Sequence, residues 1–364
     1  MIIMIMCYNI IGNIDKNNAL DLVKIVESTF PFKPLPRDRR CVRTPYEIPA
    51  ISTISSSSTT SSSTSSSSNR GSNSPSAAVP AGYRLANTEP NTNDSNSAVT
   101  FYFQQPSRAM KAYLLVELLS DVIEQPFYNT LRTQQQLGYI VYSGLKSRQG
   151  VYNLLFVAQS NIVDGGELTA RVEKFISDTT STLLPTLTQE EFDTYKEGLI
   201  VKKSEPDRRL TGQASRFLGE ILVHDMLMNN KARAQSTAQT VTAQAKTANN
   251  STSSRYITEE EDDVPGVNEP DFDRYEREIE VLEKLTLSEF IAFAMSFLQS
   301  TSPTRRLLIS QVTSSQKPTS SSGSTSSTGS GGGSKWKGNK LNEQLEYIEL
   351  TEPEAFVKGL NTIL

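Results

Sequence analysis

The residues able to build a metal or nucleophile centre are few: one histidine, His224, and two cysteines, Cys7 and Cys41, in 364 residues. HExxH, its inversion HxxEH and the Cys2His2 pattern each need two histidines, so this chain carries no recognisable zinc signature. Cys7 and Cys41 form no CxxC and lie far apart, which excludes a disulfide framework and points to free thiols in a reducing, cytosolic compartment. His224 sits in the apolar string Ile221-Leu222-Val223-His224 and reads as an ordinary packing residue. A net charge of −4 without a Lys/Arg-rich face gives no reason to expect nucleic acid. No apolar run approaches the roughly 18 residues that a membrane helix needs, so a soluble protein without a membrane partner is expected. The opening Met1–Met6 lacks the basic region and cleavage site of a signal peptide and reads as part of a buried strand, Met1–Ile11.

Three tracts are compositionally foreign: residues 52–80, 231–263 and 313–334. They are rich in Ser, Thr, Ala, Gln or Gly and too poor in apolar residues to offset chain entropy, which predicts disordered insertions between patterned elements. The acidic run Glu259–Asp263 belongs to the second and reads as a solvated face.

Between the tracts the elements are legible. Asp15 caps a helix with Ala19, Leu22, Val23, Val26 and Phe30 at helical spacing. Residues 43–51 and 82–86 are expected to pair as strands, followed by a strand whose Val99, Phe101 and Phe103 share a face. A helix over 107–124 should break at Pro126, with a second to about Gln136. Residues 139–143 and 151–159 read as a hairpin. Helices are predicted over 167–184, from the capping box Thr188/Glu191 to Lys203, and over 207–228. Two more cover 272–285 and, from the box Thr286/Glu289, residues up to Leu298; a strand follows over 305–312. The order fits an α+β fold, an antiparallel-rich sheet with helices packed on one face. Gly138, at the junction of helix and strand, is expected to supply a positive φ. Leu131 and Leu137 read as core, and Gln136 as a solvated polar residue.

The stretch Asn129-Thr130-Leu131-Arg132-Thr133-Gln134-Gln135-Gln136-Leu137-Gly138-Tyr139-Ile140-Val141 resembles the C-terminal half of the insulysin, nardilysin and pitrilysin family of inverted-zincin metallopeptidases. Gly12-Asn13-Ile14, Ala158-Gln159-Ser160, Phe217-Leu218-Gly219-Glu220-Ile221, Phe272-Asp273-Arg274 and Phe356-Val357-Lys358-Gly359-Leu360 bracket it in family order. In that family four homologous α+β domains form two lobes that close around a peptide, with HxxEH in the first domain. The resemblance implies that residues 1–36 are the end of the third domain and 40–364 the fourth. It implies that Arg132 and Tyr139 project toward the zinc site, bind the substrate backbone and hold the tetrahedral intermediate. A guanidinium carries several permanent donors and a phenol can donate to an oxyanion, so the assignment is chemically sensible. Arg208 and Arg209, after Pro206, stand where family members line the chamber with basic residues and could meet anions. By the same resemblance the cofactor is Zn2+ held by the N-terminal catalytic domain and none is bound by this chain; the partners are that zinc-bearing half and peptide substrates. The chain alone should be inactive, with the apolar face of its first helix incompletely covered. The rival reading is a catalytically inactive peptide-binding or scaffold subunit of the same fold.

Overall fold

The computed structural model describes residues 9–30, 46–50, 81–148, 150–244, 269–316, 346–358 and 360, with backbone alone for 230–244. Helix α1 (Lys16–Thr29) starts at Asp15, whose carboxylate accepts from the backbone N–H groups of Asn17 and Asn18. The elements that follow are β1 (Tyr83–Thr88), β2 (Ser97–Gln105), α2 (Met110–Tyr128), β3 (Val141–Arg148) and β4 (Val151–Ser160). Then come α3 (Gly165–Asp178), a short α4 (Leu184–Thr186), α5 (Gln189–Ser204), α6 (Leu210–Gln244), α7 (Arg274–Lys284) and α8 (Leu287–Leu298). The last elements are β5 (Leu307–Thr313), β6 (Ile348–Glu349) and α9 (Pro353–Lys358).

The six strands form one sheet in the order β3-β4-β2-β5-β1-β6, antiparallel from β3 to β5 and parallel from β5 to β6. Register puts the core on one face. Phe101 lies between Phe156 and Ile309, Phe103 between Leu154 and Leu307, and Val99 beside Ala158, which also pairs with Val141. These side chains are essentially excluded from water. Helices α2, α3 and α8 cover them, contributing Leu114, Leu118, Val122, Phe127, Val172, Phe175, Phe290 and Phe297. Tyr102 and Tyr142, one residue out of phase, fall on the outer face, as the two-residue period of a strand requires. The fold is thus the expected α+β sheet with helices on one face.

Four local expectations are corrected. Among the described residues, 82–86 do not pair with 46–50: β1 pairs in parallel with β5 and β6. The described part of the other segment, 46–50, instead pins the end of β2. The Gln104 side chain accepts from Ile48 N–H at 2.7 Å and donates to Tyr46 C=O at 2.8 Å. Pro126 does not break α2; it lies in the last turn, and the chain continues into a π-helical turn, Asn129–Gln134. The second tract is not disordered from its start, because α6 runs on to Gln244 through Ala- and Gln-rich sequence that favours helix. Gly138 does not take a positive φ; Gln136 does, at +52°.

The expected strand Met1–Ile11 lies outside the described residues up to position 8, and residues 9–11 are not strand. Most of the first and third tracts also lies outside them. Helix α1 buries none of its residues: Leu20, Leu22, Ile25 and Phe30 are exposed, with Val23 and Val26 half-buried.

Candidate functional site

The corner between α2 and β3 is held at both ends by core leucines. Leu131 and Leu137 are fully buried, and the Leu137 N–H donates to Leu131 C=O at 3.1 Å, closing a tight loop. Within it Gln135 N–H donates to Thr130 C=O at 3.1 Å in the π-helical pattern. Gln136 absorbs the reversal at φ +52°, a conformation uncommon outside glycine and a form of local strain that clusters at functional sites. Gly138 is required for space. A Cβ there would stand 2.2 Å from the backbone oxygen of Gln159, so any side chain would push the loop off β4. Beyond the glycine, Gln159 N–H donates to Ile140 C=O at 2.9 Å and the hairpin begins.

This geometry expels Tyr139, whose ring is 83% exposed, and brings Arg132 onto it. The Arg132 guanidinium carbon lies 4.7 Å from the Tyr139 ring centroid and 5.0 Å from that of Tyr128. The two residues singled out from sequence are therefore in contact, with a third, Tyr128, on the guanidinium. Among the described residues no carboxylate or carbonyl accepts from Arg132, so the donors of a permanent cation stay available beside two aromatic rings. Ile140 and Tyr142 extend the exposed apolar rim along the start of β3. Tyr128 immediately precedes the motif string and carries no sequence signal of its own; an aromatic four residues before the arginine is the available clue.

Arg208 and Arg209 are not brought into this corner by any hydrogen bond, ion pair or ring contact among the described residues. Both are exposed just before α6; Arg208 pairs with Glu205 at 2.9 Å, and Arg209 accepts through its backbone C=O from Gly212 and Gln213. His224 is half-buried in α6. Among the described residues no three His, Cys, Asp or Glu side chains converge as a metal site.

A second polar cluster lies beneath α2, buried between α5 and α7. Lys203 Nζ sits 2.7 Å from both Glu117 and Glu278. Arg274 bonds Glu278 at 2.6 Å and donates to the Tyr152 hydroxyl at 2.8 Å, with its guanidinium over Tyr113 at 5.0 Å. Burial works to lower the Lys203 pKa, but the two glutamates outweigh it and hold the ammonium above its usual value. Tyr113 is pushed far up, first by burial and then by the same glutamates. Sequence reading did not find this cluster, because its members come from separate helices at no motif spacing.

The family described as "PQQ synthase PqqF-like, C-terminal lobe domain 4" matches residues 118–218, a stretch that contains the whole corner. Human insulin-degrading enzyme is 30% identical over 128 residues, 35% of this chain and 12% of its own length. Nardilysin from Pongo abelii is 26% identical over 224 residues, 61% of this chain and 17% of its own. The matched part of the chain is similar to the C-terminal region of insulysin-like peptidases. The chain spans less than a fifth of the length of either relative. The crystal structure of pitrilysin superposes with a TM-score of 0.57 at 14% identity, covering 96% of this chain and 27% of that one, and shows the shared fold. No helix among the described residues is long and apolar enough to cross a membrane.

Proposed function

We propose that this insulysin-like region is the non-zinc, peptide-binding lobe of a composite metalloendopeptidase site, with Arg132 and Tyr139 as its contribution. The observation that carries the reading is the Arg132 guanidinium 4.7 Å from the ring centroid of Tyr139, a residue that is 83% exposed, with no protein acceptor on the arginine among the described residues. Arg274 and Arg305 are each ion-paired to a carboxylate; this arginine is held out with no carboxylate bonded to it among the described residues. An extended peptide offers carbonyl oxygens to such an edge, and the Tyr139 hydroxyl can donate to the oxyanion that develops when a peptide carbonyl is attacked.

In this reading the zinc ion, which activates the attacking water, belongs to a separate N-terminal half in the cytosol, and no step of the chemistry is assigned to a metal held here. The exposed apolar side chains on and just after α1, Leu22, Ile25 and Phe30 on one side and Leu20 on another, are surface that such a half could cover. Residues 1–36 and 40–364 would be the end of one peptidase-like domain and the whole of the next. Arg208 and Arg209 remain candidates for a weaker anion contact, being exposed cations at the start of α6.

Co-expression with the zinc-bearing half of an insulysin-like peptidase tests the proposal. The complex should hydrolyse peptides, the chain alone should not, and Arg132→Ala or Tyr139→Phe should lower turnover by about 10²- to 10³-fold, the loss typical of one oxyanion donor. An active complex indifferent to both substitutions overturns the assignment of these residues. A stable but inactive complex that still binds peptide supports the scaffold reading in its place.

A further inference from the structure

We infer that Tyr128 is the positioning residue of the site, fixing the plane of the Arg132 guanidinium so that its N–H edge faces the carbonyl or carboxylate oxygens of an extended peptide. The inference rests on the reading of Arg132 as a peptide contact and adds how that contact is held.

Tyr139 alone makes a poor support. It is 83% exposed at the end of a loop, and a ring free to turn cannot orient a cation lying on it. Tyr128 differs in both respects: it is half-buried, and it is the last residue of α2, next to the fully buried Phe127. Its position four residues before Arg132 makes the two neighbours on one helical surface. The change from α to π pitch falls at that junction, since Asn129 opens the widened turn. Single π turns of this kind recur at functional sites because they re-aim side chains. Here the turn carries Arg132 over Tyr128 at 5.0 Å while Gln136 and Gly138 return the chain so that Tyr139 reaches the guanidinium at 4.7 Å. Two rings restrain the planar cation; its five in-plane donors have no acceptor among the described residues. A side chain held in one rotamer before binding loses less entropy when a peptide arrives, so the ring should act on affinity without touching the peptide itself.

The test uses the full chain and two readouts. Fluorescence polarisation with labelled, unfolded casein as the extended-chain probe should show Tyr128→Phe and Tyr128→Trp binding like wild type, because a π face remains, and Tyr128→Leu binding about three- to tenfold more weakly. In the NMR spectrum the Arg132 Nε–Hε signal, shifted by ring currents in the wild type, should move toward the ordinary arginine position in Tyr128→Leu and stay in Tyr128→Phe. If Arg132→Ala loses binding while Tyr128→Leu matches wild type in both readouts, the positioning role is overturned and the proposed function stands. If the wild type does not bind casein, or Arg132→Ala binds as well as wild type, the proposed function fails, and the NMR signal alone decides whether Tyr128 orients the guanidinium. Should Tyr128→Leu fail to fold, Tyr128→Trp decides: an Arg132 signal equal in the wild type and Tyr128→Trp, despite the larger ring current of indole, overturns the role.

Discussion

Arg132 and Arg274 are each flanked by two tyrosines, yet the two arginines do opposite work. Arg274 lies over Tyr113 and Tyr152 inside the helical layer, with Glu278 and Glu220 bonded to it and Lys203 on the far side of Glu278. Arg132 lies over Tyr128 and Tyr139 at the surface with no carboxylate bonded to it among the described residues. Burial explains the difference. A cation taken out of water needs carboxylates to compensate its charge, so the inner cluster is ion-paired and serves the fold. A cation at the rim stays hydrated until a ligand arrives, and its open donors are what a peptide can use. A bonded carboxylate therefore separates Arg274 from Arg132 where residue type and flanking rings do not.

The largest effect should come from breaking the ion-paired side. Lys203→Met leaves Glu117 facing no cation and removes one of the two holding Glu278, and loss of one partner from a buried pair costs about 3–5 kcal/mol. Urea unfolding should show that loss, while Arg132→Ala should stay within about 0.5 kcal/mol of wild type, as surface changes usually do. The double variant Lys203→Met/Glu117→Leu should recover part of the loss, because Glu278 keeps Arg274. The pH dependence has a definite sign. With its pKa raised on folding, Lys203 contributes stability that is complete below its ordinary value of 10.5 and is lost only as pH rises through the higher folded value. The cluster should thus hold unchanged through neutral pH. Equal stability losses in Lys203→Met and Arg132→Ala would erase the distinction between the two regions.

The next effect sharpens the role of the surface corner. Gly138→Ala places a methyl carbon where Gln159 C=O stands, at 2.2 Å, so the loop must move. Overpacking of this kind costs about 1–3 kcal/mol. The larger consequence should be functional: Tyr139 follows directly, so casein binding should fall by more than the stability loss explains. Binding that tracks stability alone would mean the loop positions nothing.

How much of this was legible in sequence depended on whether the information was local. The helix starts at Asp15, Thr188 and Thr286 were readable because a cap and its N–H partners lie within three residues, and all three are formed. The hairpin and the Val99/Phe101/Phe103 face followed from a period of two. The pairing of β1 was not readable, since its partner β5 lies more than two hundred residues on and short apolar runs do not name their neighbours. Pro126 misled for a different reason: the proline is accommodated in the last turn of α2, and the chain stays helical beyond it. Gly138 was singled out correctly and explained incorrectly, because a glycine needed for close approach looks the same in sequence as one needed for positive φ. At the candidate site, Arg132 and Tyr139 came from a motif string, while Tyr128 emerged only when the π turn showed which ring the guanidinium meets.

The smallest effect tests the comparison at its most exposed end, where an ion-paired carboxylate sits in water. Glu289 closes the capping box of α8, accepting from the Thr286 backbone N–H at 3.2 Å and from Lys111 at 2.7 Å. The Lys111 bond first, then the Thr286 hydroxyl and backbone, hold its pKa down to about 2. A depressed carboxylate contributes stability that is complete above its unfolded value, near 4.5, and is lost as pH falls through the folded one. The loss should therefore run from about pH 4.5 to pH 2. Its size stays small, because water and salt screen an exposed pair and leave the backbone cap as the surviving part. Glu289→Gln keeps an acceptor for the Thr286 N–H but removes the charge, so it should flatten the acid limb of the stability curve slightly and make it insensitive to salt there. A Glu289→Gln effect as large as that of Lys203→Met would show that exposure does not set the worth of an ion-paired charge in this protein, and the contrast between Arg132 and Arg274 would need a different cause.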